Sequence, residues 1–168
     1  FIYEHPVLTQ VGSPNMEYLL ANAERFQKSI GAERVNEKIA TAFDLQLTNM
    51  ITGRDRQSGM EAIDKVEKEM EKYEFPSKSR LKLFVEIARA QRSGDVEKLL
   101  QVCEKNIPQI EHEHLLAMFF PLSLTIKRNG NEDQQQRILK LAKTLLAETT
   151  NDKFKFSLGQ FIPYALEK

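Results

Sequence analysis

Between Gln101 and Leu116 the chain reads QVCEKNIPQIEHEHLL, a stretch that gathers its only cysteine, two of its three histidines and three glutamates. A thiolate can act as a nucleophile or bind a soft metal. Imidazoles and carboxylates can bind zinc or shuttle protons. Spacing tests each possibility. In DVEKLLQVCEKNI the apolar positions are Val96, Leu99, Leu100, Cys103 and Ile107, one face of one helix. Cys103 lies in that stripe, which predicts a small buried hydrophobe in a helix seam. Lys105 is near in sequence but points elsewhere.

His112 and His114 are two residues apart, so on a helix their side chains diverge by about 200° and cannot share an ion. Glu111 and His114 do have a Glu-x-x-His spacing. A carboxylate-bridged di-iron site needs a second such pair on another helix, and His5 is the only other histidine. His112 is expected to flank the apolar face and His114 to be solvated near a first turn. No G-x-S-x-G, phosphate-cradling glycine loop, H-E-x-x-H or C-x-x-C occurs. The sequence therefore nominates no catalytic, cofactor-binding or metal-ligating residue and implies no cofactor. KVEKEMEKYE, residues 65–74, reads as a solvated i,i+4 Glu/Lys face. TGRDRQSG, residues 52–59, has basic residues that could meet a phosphate or carboxylate, but reads first as a solvated polar connector.

The elements that would position these groups are helical throughout. Residues 1–12, FIYEHPVLTQVG, form an expected extended arm with anchors Ile2, Tyr3 and Val7. Ser13-Pro14 is an N-cap followed by Pro at the first helical position, and this helix is expected to reach about Ser29. Gly31 is expected to end it in the left-handed conformation. A second helix, about Glu33 to Thr52, carries Val35, Ile39, Phe43, Leu47 and Ile51, and Gly53 closes it. A third carries the narrow stripe Ile63, Val66, Met70 and Tyr73 and stops at Phe75-Pro76. The fourth is so apolar, with only Lys82, Glu86 and Arg89 as a polar edge, that it must be central. Ser93-Gly94-Asp95 is a C-cap and an N-cap back to back.

The fifth helix spans Val96 to about Asn106. The sixth begins after Pro108 and contains LLAMFFPLSLTI, residues 115–126, where Pro121 should bend or split it. Phe119 and Phe120, about 100° apart, are expected to be enclosed against different neighbouring helices. Asn129-Gly130-Asn131 is a turn. The seventh helix, Glu132 to Thr149, buries Ile138, Leu141, Ala142 and Leu145. The eighth presents Phe154, Leu158, Phe161 and Ala165, with Gly159 and Pro163 weakening its second half.

The fold class is all-α: about eight helices as four antiparallel hairpins beginning near residues 14, 56, 95 and 131. They would stack as an irregular, tetratricopeptide-like α-α superhelix or a compact bundle. Residues 13–168 are expected to be a single domain. The chain starts at Phe1 rather than Met, which predicts a processed product or a fragment of a longer protein.

Composition narrows the functional classes. Lys plus Arg equals Asp plus Glu, 24 each, so there is no overall basic field and no nucleic-acid partner is expected. The longest apolar run is too short to span a bilayer, so no membrane insertion is expected. One cysteine excludes an internal disulfide but does not fix the compartment.

NAERFQKSIGAERVNEKIATAF resembles a helical stretch that accompanies the thioredoxin-fold domain of some bacterial cell-envelope thioredoxin-like proteins. The matching residues are Phe26, Gly31, Val35, Lys38 and Ile39. The resemblance implies thiol–disulfide exchange in the cell envelope, with a thioredoxin-fold domain as partner. That family's C-x-x-C is absent from this chain, so no catalytic residue carries over. The expected function is a non-catalytic helical interaction or accessory module. The alternatives are the substrate-positioning half of a thiol–disulfide oxidoreductase, or a small-ligand or peptide groove between hairpins.

Overall fold

The computed structural model describes residues 13–54 and 59–167. The expected arm 1–12, with His5, and connector residues 55–58 lie outside them. Every described element is helical, and no strand occurs among the described residues. None of these helices is long and apolar enough to cross a membrane. Two compact units divide at Val85–Glu86, inside one helix.

In the first unit, α1 (Pro14–Ala21) opens as its sequence requires: the Ser13 side chain accepts a hydrogen bond from the Met16 amide at 3.2 Å. The single helix expected to Ser29 is in fact two. Asn22 leaves helical geometry, and its side-chain amide turns back to donate to the Tyr18 carbonyl at 2.9 Å. The Asn22 backbone amide donates to the same carbonyl at 3.1 Å, so Tyr18 accepts both. After Asn22, α2 (Ala23–Ile30) packs on α3 (Ala32–Thr52). Gly31 joins them at φ +95° and ψ 140°, a positive φ that glycine adopts freely but not the left-handed helical conformation expected. Gly53, at φ +73° and ψ 14°, does adopt it and closes α3. Val35, Ile39, Phe43, Leu47 and Ile51 are all buried.

The third predicted helix, α4 (Met60–Met70), buries Ile63, Val66 and Met70. It stops short of Phe75-Pro76, so Tyr73 lies in the turn beyond it. The Glu/Lys pairing read in 65–74 is only partly local. Lys72 meets Glu69 at 2.7 Å. Glu71 and Glu74 instead meet Lys78 (3.4 and 3.0 Å), and Glu71 also meets Lys82 (2.9 Å). The turn brings α5 (Lys78–Ser93) back within reach of those carboxylates, and the Lys82 hydrogen bond lowers the Glu71 pKa. Arg80 of α5 pairs with Asp44 of α3 at 3.0 Å.

Along α5, Leu81, Phe84, Val85, Ile87, Ala88 and Ala90 are buried and Lys82 is exposed, the polarity its sequence predicts. In the second unit, Gly94 (φ +71°) and the Asp95 cap lead into α6 (Val96–Asn106). A 3₁₀ turn (Ile107–Gln109) and α7 (His112–Leu115) precede α8 (Phe119–Asn129). The predicted sixth helix is therefore split, and the break falls at residues 116–118, before Pro121. Pro121 sits in the first turn of α8, where no intrahelical amide is needed.

Asn131 and Gln134 form a capping box at the start of α9 (Glu132–Glu148). Asn151 caps α10 (Asp152–Phe161), which continues into a π turn at Ile162–Leu166 containing Pro163. α8 and α9 pack together, both pack on α6, and α10 packs on α9 and α7.

Candidate functional site

In the Gln101–Leu116 stretch, α6 buries Cys103 and Asn106, and the segment after it exposes most of its polar side chains while burying Ile107, Ile110 and Leu115. On α6, Cys103 is fully buried in line with Leu99 and Leu100, and burial pushes its thiol up to about 12. A thiol so far from ionising is no nucleophile at neutral pH. Beside it, Asn106 is fully buried and donates to Glu86 Oε2 at 3.0 Å, the first cause of that carboxyl's lowered pKa. The Asn106 Oδ1 has no hydrogen-bond partner.

Beyond α6 the chain passes through the 3₁₀ turn into α7. Pro108, Ile110, Glu111, His112 and Glu113 line an open cleft of about 600 Å³, with Thr150 and Asn151 across from them. The two histidines part company here, as their spacing predicts. The His112 ring packs 5.5 Å from the Phe154 ring. His114 is less solvated than expected: its Nε2 lies 3.5 Å from Glu111 Oε2 and 3.4 Å from Glu113 Oε1. The Glu-x-x-His pair thus meets. Among the described residues, however, no group of three or more His, Cys, Asp or Glu side chains is placed to hold a metal ion.

Under this segment lies an aromatic cluster. Phe119 is fully buried, edge-on to Phe154 at 6.3 Å and 79°. Phe120 is only half-buried; it stacks on Phe154 at 6.4 Å and 23° and meets Phe161 at 4.6 Å. This corrects two expectations. Both rings meet the same helix, α10, and the 115–126 run is not enclosed on all sides, since Leu116 is also exposed. Phe154 and Phe161 stand two turns apart on one face of α10, so a single helix offers a surface broad enough for both rings.

The opposite face of α10 was not read as a site. Phe156 is 72% exposed and Tyr164 is 75% exposed. Gly159, Gln160 and Pro163 lie between them and are also exposed. Phe156 is two residues from buried Phe154, hence about 200° round the helix. That angle, together with large aromatics falling outside the Phe154–Leu158–Phe161 stripe, was the available signal. Lys153 and Lys155 flank Phe156, and neither has an ion-pair partner among the described residues.

One electrostatic lock fixes the second unit. The Arg137 guanidinium on α9 reaches Glu97 (2.8 Å) and Glu104 (2.6 Å) on α6. Hydrogen bonds from Gln134, Arg137 and Gln101 hold the Glu97 carboxyl down to about 2.

No family of known proteins matches the chain, nor does any curated protein or solved structure.

Proposed function

We propose that this chain is a non-catalytic helical interaction module whose outer α10 face receives a protein segment that is apolar with acidic flanks. The observation that carries this reading is the exposure of two large aromatics, Phe156 on α10 and Tyr164 on the π turn that continues it. Large exposed apolar groups at neighbouring positions mark interaction surfaces. Aromatic anchors dominate the energetics of such surfaces. The ammonium groups of Lys153 and Lys155, which pair with no carboxylate among the described residues, supply the charge complement for acidic flanks. The resemblance around Phe26–Ile39 suggests a thioredoxin-fold domain as one partner to test, and it is the support for an accessory role in thiol–disulfide exchange.

The test is a photo-cross-linker placed at position 156 and, as control, at exposed Thr144. Partners captured only from 156 are then purified and titrated against wild type and Phe156→Ser/Tyr164→Ser. The reading requires direct binding that the double variant loses at unchanged melting temperature. Equal binding by the variant, or identical capture from both positions, defeats it.

A further inference from the structure

The first unit holds a cleft that the interaction reading does not use. It is about 760 Å³ in volume and lies between the α1–α2 junction and the turn after α4. Asn22, Arg25 and Lys28 form one wall, and Lys72 and Tyr73 another. Among the described residues Glu24 is the only carboxylate in the lining, against three cations. Lys72 already holds Glu69 at 2.7 Å. Arg25 and Lys28 have no ion-pair partner among the described residues. One turn apart on α2, they face the same side. Burial raises the Tyr73 phenol above its usual range, so at neutral pH it is a protonated hydrogen-bond donor.

From this geometry we infer that the cleft is a binding site for a small multivalent anion of phosphate or carboxylate type, held by Arg25 and Lys28 with Tyr73 closing the wall. The volume suits a metabolite-sized ligand. A guanidinium presents its donors as a planar fork that fits two anion oxygens at once, and an ammonium adds a point charge beside it. Lys72, shared with Glu69, adds a weaker attraction at the rim.

Calorimetric titration of the whole chain with inorganic pyrophosphate and, separately, with citrate tests the site at low and at physiological salt. Saturable one-to-one binding of at least one is expected, and the tighter of the two assigns phosphate or carboxylate. Arg25→Gln/Lys28→Gln should weaken it about tenfold or more, the effect of losing one charge-assisted hydrogen bond. Lys153→Gln/Lys155→Gln removes the same charge from the other unit and should leave it unchanged. Amide NMR shifts should centre on residues 22–28 and 72–73. Binding of neither anion overturns the inference, as do equal losses in both double variants or shifts spread over all lysine-bearing surfaces. Melting temperatures of both variants, expected within a few degrees of wild type, separate lost binding from lost fold.

Discussion

Arg137 on α9 grips Glu104 on α6 with both edges of its guanidinium, Nε to Oε1 at 3.0 Å and Nη2 to Oε2 at 2.6 Å. Its Nη1 at the same time reaches both oxygens of Glu97, at 2.8 and 3.1 Å. One planar cation thus joins two carboxylates set seven residues apart, on one face of α6.

This lock predicts a pH dependence. The Glu97 carboxyl is depressed to about 2 from an ordinary 4.5, chiefly by the Gln134 hydrogen bond and then by Arg137. Folding therefore favours its ionised form. Its stabilisation is fully present above pH 4.5 and is lost as pH falls toward 2. Glu97→Gln should lower the melting temperature at pH 7, and the gap to wild type should close between pH 4.5 and 2. The groups are partly exposed, so added salt should also narrow the gap. A gap that is constant with pH would show that the lock contributes no charge term. Arg137→Lys should not restore the wild-type value, because an ammonium cannot bridge both carboxylates.

Cys103 should react slowly with a thiol reagent in the folded protein and rapidly in denaturant. It is fully buried, and its thiol is pushed up to about 12. The labelling rate should follow opening of the fold. A native rate equal to that of a free thiol would contradict the packing of α6.

Phe119 and Phe120 should differ. Phe119 is fully enclosed, so Phe119→Ala should cost about 3–5 kcal/mol in chemical denaturation. Phe120 is half-exposed and leans on Phe154 and Phe161. Phe120→Ala should cost clearly less, since less apolar area returns to water. Equal losses would argue against the stacked arrangement on α10.

Gly130 should tolerate no side chain. Its φ is ordinary at −84°, so the constraint is space and not conformation. A Cβ there would stand 2.6 Å from the Ile126 carbonyl oxygen, which also accepts the Gly130 amide at 2.8 Å. Gly130→Ala should destabilise by more than about 1 kcal/mol and loosen the α8–α9 turn. Asn131→Ala next to it should cost about 0.5–2 kcal/mol through loss of the capping box. Neutral melting curves for both variants would refute this account of the turn.

The sequence by itself determined the all-helical class and most of the buried faces. Apolar spacing placed Ile39, Phe43 and Leu47, and likewise Leu99, Leu100 and Cys103, on the sides that are buried. Helical periodicity is a local property and needs no knowledge of neighbours. The caps at Ser13 and Asp95 were legible for the same reason, whereas Asn131 reads in the sequence only as part of a turn. The break at Asn22 was not, because periodicity does not register a single residue whose backbone leaves helical φ and ψ while its amide and side chain both still reach Tyr18. Only the tertiary structure decided which residues meet across elements. Glu71 pairs with Lys78 and Lys82, and Phe119 and Phe120 share Phe154, because the turns between helices fix which faces come together. The two surfaces given roles here also depend on that assembly. Phe156 is exposed because α10 spends its other face on Phe119 and Phe120. Arg25 and Tyr73 share a cleft because the chain returns after α4 to the α1–α2 junction.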